Sequence, residues 1–157
     1  MSRTSVVLLF AVVLAVAAGY VFANLPGEVP VDVVLRPNDT RLVSAGQAIY
    51  GEHCAECHGK NLEGQANWRQ RDAEGYMPAP PHDETGHTWH HADLLLFQLT
   101  KVGLAGIIGT KHKTRMPAYA DVLSDEEIVA VLSYIKSRWP TKIRERHDRM
   151  NGVARKK

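Results

Sequence analysis

Two thiols and an imidazole within five residues carry the chemistry of this chain. The stretch is Cys54-Ala-Glu-Cys57-His58. Its C-x-x-C-H spacing reads as a c-type haem attachment site. The two thiols add across the two vinyl groups of one porphyrin and leave thioether bonds. His58 then sits under the ring, where its imidazole reaches the iron. The chain has two cysteines, and this motif uses both. A thioredoxin-like redox pair shares the C-x-x-C spacing but belongs to a βαβ context, and no such pattern surrounds the motif. A structural zinc site wants four ligands, and no second cysteine pair exists to complete one.

The elements around the motif have to position it. Val6 to Ala23 is an uncharged apolar run preceded by Arg3. It is longer than a typical secretory core of about 7–15 residues and shorter than a span of about 20. We assign residues 1–25 to an N-terminal anchor, with a cleaved export signal as the alternative. Arg3 marks the inner side. Residues 26–38 hold three prolines and a glycine and read as an extended spacer. Asp39 or Thr40 then caps a helix with Leu42, Ala45 and Ile49 on one face, flanked by Gly46 and Tyr50, that runs into Cys54. Glycine within a helix costs about 1 kcal/mol relative to alanine, so Gly46 points to a close helix approach. Residues 59–88 read as a long loop, acceptable where it wraps a large ligand. A second helix opens at His91 or Asp93 and stops at Gly103. Another loop carries Met116-Pro117. The last helix opens on the capping box Ser124-Asp-Glu-Glu127 and presents Ile128, Val131, Leu132 and Ile135 on one face. No strand-like alternation appears, so the fold class is all-α.

Charge is unevenly spread. Residues 24–137 carry ten Lys/Arg against fifteen Asp/Glu, and residues 138–157 carry eight against two. The basic tail over 139–157 fits anionic lipid or an acidic partner, but its plainest reading is a solvated terminus. The basic run has no interleaved aromatics and no known binding motif, so nucleic acid is not an expected partner.

In order, Gly46-x-x-x-Tyr50, Cys54–His58, Met116-Pro117 and a capped last helix resemble a class I cytochrome c over residues 39–138. The resemblance implies three or more helices wrapped around one covalent haem c. It implies that the first and last helices cross at right angles, with Gly46 and Tyr50 against Val131 and Tyr134. It also implies six-coordinate iron with His58 proximal and a methionine distal. A proximal histidine usually donates its second N–H to a carbonyl, and the family supplies that carbonyl from a loop proline, here Pro80 or Pro81.

A thioether favours Fe(II). Met116 is preferred as sixth ligand because its loop returns to the distal face, and Met77, also followed by proline, is the alternative. His82, His87, His90 and His91 read as a loop that hydrogen-bonds the propionates, with Trp89 as a donor, or as a second metal site for copper. His53, His112 and His147 read as surface residues. Lys111, Lys113 and Arg115 would form a positive rim that steers an acidic redox partner. The expected function is one-electron transfer without catalysis, between partners such as an oxidase or a dehydrogenase. The haem domain would face the periplasm from a cytoplasmic-membrane anchor, or be soluble there after cleavage. The alternatives are an open distal site, as in a peroxidase or gas sensor, and copper handling by the histidine cluster.

Overall fold

A computed structural model describes residues 33–109 and 113–152. The apolar run Val6–Ala23, the start of the spacer, Lys111, His112 and the end of the basic tail lie outside the described residues. Among the described residues the structure is helical and has no strand. The helices are α1 (Thr40–His53), α2 (Ala55–His58), α3 (Asp93–Ile108), α4 (Asp125–Ser137) and α5 (Thr141–Met150). A 3-10 turn, Thr88–His90, precedes α3. Among these residues no helix is long and apolar enough to cross a membrane.

The crossing of α1 and α4 is the core of the fold. Asp39 starts α1 by accepting the Leu42 amide at 3.1 Å. The buried face of α1 is Gly46 and Tyr50. A Cβ at Gly46 would stand 2.0 Å from the Ala130 carbonyl oxygen and 3.0 Å from Tyr134 Cβ. Only a glycine lets the two backbones meet there. One turn on, Tyr50 packs on Tyr134 with ring centroids 5.4 Å apart. Its hydroxyl donates to the Gly59 carbonyl at 2.9 Å, which ties the crossing to the residue after His58. The capping box of Ser124 and Glu127 forms on α4, and Ile128, Val131, Leu132 and Ile135 are buried behind it.

Gly103 does not end α3. The backbone kinks there, with φ +72, and continues helically to Ile108. A kink frees carbonyls from the helical ladder. Those of Thr100 and Lys101 are taken by the amides of Tyr119 and Ala120, in the loop after Met116. The break is therefore a docking point for that loop.

Two segments are more ordered than their composition indicates. Leu35 is buried at 3 % exposure, and its amide donates to Asp93 Oδ2 at 2.9 Å. The Arg36 amide donates to Ser133 Oγ. Residues 35 and 36 thus pack on the helical domain instead of standing off as a spacer. The tail likewise is not a solvated terminus over 141–150, where α5 forms. His147, expected at the surface, is fully buried. Its Nε2 donates to the His91 carbonyl at 2.8 Å. Asn151 accepts the Asp93 amide at 2.7 Å and donates to the His147 carbonyl. Buried Lys136 pairs with Asp148 at 2.7 Å. Buried charge persists only when paired, and here α3, α4 and α5 each contribute to the pairing. Three charged residues of α5 meet partners in the fold, Asp148 at Lys136, Arg144 at Asn38 and Arg146 over Trp89, a pattern that helical periodicity alone does not expose.

Burial and the Lys136 charge hold the His147 imidazole below its usual value, so it is neutral. Burial pushes the Asp93 carboxyl up. The unfolded histidine gains its proton near pH 6.5 while the folded one resists. Stability therefore falls as pH drops through that region. Asp93 acts in the opposite sense, but from the lower carboxylate range. A His147→Gln variant should lose this slope, by up to about 1.4 kcal/mol per pH unit. Urea midpoints of both proteins at pH 7.5 and 5.5 test this: the wild type should lose more on acidification. Separately, Gly46→Ala should destabilise by about 3 kcal/mol, the upper end for overpacking. Thermal unfolding measures it, and an unchanged midpoint would contradict the close crossing.

Candidate metal centre

The α1 helix runs directly into the two thiols. The Cys54 amide still bonds the Tyr50 carbonyl, and the His58 amide bonds the Cys54 carbonyl. This single turn sets Cys54 and Cys57 three residues apart, on one side of a helical turn. Both are free thiols, Cys54 half-buried and Cys57 exposed. Burial, with Cys57 nearby, pushes the Cys54 thiol up to about 11. A redox C-x-x-C pair works through a lowered thiol, so the local electrostatics disfavour that chemistry.

His58 is buried at 8 % exposure, and its Nδ1 lies 2.8 Å from the Pro80 carbonyl oxygen. A carbonyl only accepts, so Nδ1 carries the hydrogen. Nε2 then bears the lone pair and has no hydrogen-bond partner among the described residues. Burial keeps the imidazole below its usual value. A neutral ring with an oriented N–H is the ligand form.

Pro80 is held there by a clasp between two stretches of the long loop. Gln65 N bonds the Ala79 carbonyl at 2.9 Å, and His82 N bonds the Leu62 carbonyl at 2.8 Å. Gly64, at φ +68, donates to the His58 carbonyl. A side chain on Gly64 would strike Pro81 N at 2.4 Å. The clasp returns Pro80 to His58 across twenty-two residues of sequence.

The four loop histidines go to different places. His82 stacks on His58, with centroids 3.9 Å apart. His87 stacks on Trp68, and its edge meets His91. His90 stacks on Trp89. Among the described residues no three His, Cys, Asp or Glu side chains are grouped to hold a metal ion, and the four histidines of the expected copper cluster each face a different ring. The Trp89 indole, expected to serve the propionates, donates to the Glu84 carbonyl at 3.3 Å, and Arg146 lies over its ring.

The methionines sit on two clipped loops. Met77 is exposed at 40 % and Met116 is half-buried. Arg115 pairs with Asp72 and with Glu74, the latter at 2.7 Å, and lies over the Tyr76 ring at 4.0 Å. Lys113 donates to the Glu74 carbonyl. These cations join the Met116 loop to the residues just before Met77. Arg115 and Lys113 of the expected positive rim are thus engaged within the fold, and Lys111 lies outside the described residues. On the other side of Met116, the Tyr119 hydroxyl donates to the His53 carbonyl at 2.7 Å, beside Cys54. The Arg115 clip, the Tyr119 tether and the His82 stack join residues far apart in sequence, and no local spacing signals them.

Two free thiols on one turn, followed by a neutral imidazole with an available Nε2, fit a covalently bound haem. Cys54 and Cys57 would hold the porphyrin edge, and His58 would take the iron. Among known proteins, a family model described as Cytochrome c matches residues 43–139. No curated protein and no solved structure matches. In a strain able to attach haem, the intact mass of the denatured wild-type chain should include one haem. The mass of a double variant, Cys54→Ala with Cys57→Ala, should not. Haem surviving denaturation on the double variant would contradict the assignment.

Proposed function

We propose that this chain, which belongs to the cytochrome c family, carries single electrons on an iron held between His58 and Met116. The haem supplies reversible Fe(III)/Fe(II) chemistry, and the residues supply its setting. The observation that carries the reading is the His58 Nδ1–Pro80 contact of 2.8 Å. It fixes the tautomer and leaves the other nitrogen with a free lone pair. The Met116 assignment draws support from its neighbours. Arg115 and Tyr119 restrain the loop on both sides, whereas Met77 is exposed. A loop held at both ends keeps a thioether in place through both redox states, so little reorganises when the charge changes. With His58 and Met116 both bound to the iron, no site would remain for substrate.

The partners are redox proteins, a dehydrogenase or oxidase in class. Electron carriers meet such partners through small, weak interfaces that exchange quickly. The run Val6–Ala23 supports a cytoplasmic-membrane anchor with the haem domain on the periplasmic side.

Absorption spectra of both oxidation states test this reading. A six-coordinate, low-spin form is expected in each, and the oxidised form should show a methionine-to-ferric charge-transfer band. Met116→Ala should abolish that band, and Met77→Ala should leave it. A five-coordinate reduced form that binds carbon monoxide rapidly would overturn the carrier reading in favour of an open site. Survival of the band in Met116→Ala would exclude Met116.

A further inference from the structure

His82 is a histidine that the proposed haem site does not use as a ligand. Its ring lies almost flat against that of His58, centroids 3.9 Å apart and planes inclined by 28°. Two imidazoles in face contact cannot both aim a nitrogen at one iron, since a metal bound in the plane of one lies well out of reach of the other.

The placement of His82 is heavily specified. Its amide donates to the Leu62 carbonyl at 2.8 Å. Its carbonyl accepts the Trp139 indole N–H at 2.7 Å. Its Nδ1 lies 2.9 Å from Thr88 Oγ1, a buried hydroxyl. The Tyr50 ring meets it edge-on at 6.3 Å, so it also touches the α1–α4 crossing. His82 is thus held at its backbone, its ring edge and its ring face together.

What this fixation does follows from its target. The segment Pro80–His82 grips the His58 imidazole twice. The Pro80 carbonyl holds Nδ1, which lies off the axis through Nε2. The His82 ring covers one face. Rotation about the Nε2 axis would both stretch the hydrogen bond and drive the ring into His82. Partners of ligating histidines that set ring orientation tune the metal as well as hold it.

We propose that His82 is a positioning residue, fixing the rotational setting of the His58 imidazole and thereby the electronic state of the oxidised haem. This rests on the haem reading given above, with His58 as the axial ligand. The axial ring plane sets the in-plane asymmetry of a low-spin ferric iron. The face of a neutral aromatic ring also attracts positive charge, and the His58 imidazole is more positive when the iron is Fe(III). The stack therefore favours the oxidised state, and its loss should raise the potential.

The experiment compares the full-length holoprotein with His82→Leu, His82→Phe and Thr88→Val. The readouts are ferric electron paramagnetic resonance, the spread of the haem methyl proton shifts, and the midpoint potential. In His82→Leu the g-values and methyl pattern should change and the potential should rise. His82→Phe keeps a ring face against His58 and should return all three toward wild type. Thr88→Val frees the His82 ring edge and should shift the spectra in the same sense as His82→Leu, by less. It serves as the deciding variant if the Leu substitution fails to mature. Wild-type g-values and methyl pattern in His82→Leu, or in Thr88→Val where that variant decides, would overturn the proposal while leaving the carrier reading intact. Equal changes in the Leu and Phe variants would also overturn it, since they would reduce His82 to a space-filling role. A high-spin ferric wild type would instead overturn the axial-ligand reading itself, and this proposal with it.

Discussion

An imidazole ligand needs a defined tautomer and a defined ring plane, and in this chain one carbonyl supplies the first requirement. The Pro80 oxygen, 2.8 Å from His58 Nδ1, makes His58 a donor on one side and leaves the nitrogen on the other side free to bind a metal. Much of the surrounding loop serves that contact. The pairings of Gln65 with Ala79 and of Leu62 with His82 bring Pro80 back to the start of the loop. Trp139, at the end of the last core helix, reaches over to hold the His82 carbonyl. A hydrogen bond adds only about 1 kcal/mol net in a typical case. Its value here is geometric, and the loop spends its length on that geometry.

The helical scaffold solves a different problem, which is to keep the two ends of the domain together. Gly46 lets α1 and α4 touch at backbone distance, and Tyr50 continues the contact down to Gly59. The C-terminal helix extends this scaffold. Buried Lys136, Asp93 and His147, with half-buried Asn151, form a polar set that joins three helices and the chain before α1. Breaking one member of such a set leaves an uncompensated charge, which costs more than the intact set contributes. The His91 carbonyl belongs to the same set, so the chain leading into α3 and helix α5 share a support.

The sequence disclosed features that are local or periodic. The Cys54–His58 motif, the capping box at Ser124 and the apolar face of α4 all follow from residue types at fixed offsets. Gly46 was readable because a glycine in a good helix asks for a reason. Contacts between distant loops left no such trace. Arg115 looked like one cation in a basic run, and only the fold shows it against Asp72, Glu74 and Tyr76. His147 looked like a surface residue because α5 is strongly charged. Its burial depends on Asp93, Lys136 and Asn151 converging from separate elements. The stack of His82 on His58 likewise joins residues twenty-four positions apart.

In the proposed carrier, His58 and Met116 together close the coordination of a single covalent haem. Proton resonance of the reduced full-length protein tests it most directly, because a methionine methyl bound above a porphyrin is moved far upfield by the ring current. One three-proton upfield resonance is expected, assigned to Met116 by selective methyl labelling. The absence of such a resonance, or its assignment to Met77, would contradict the account.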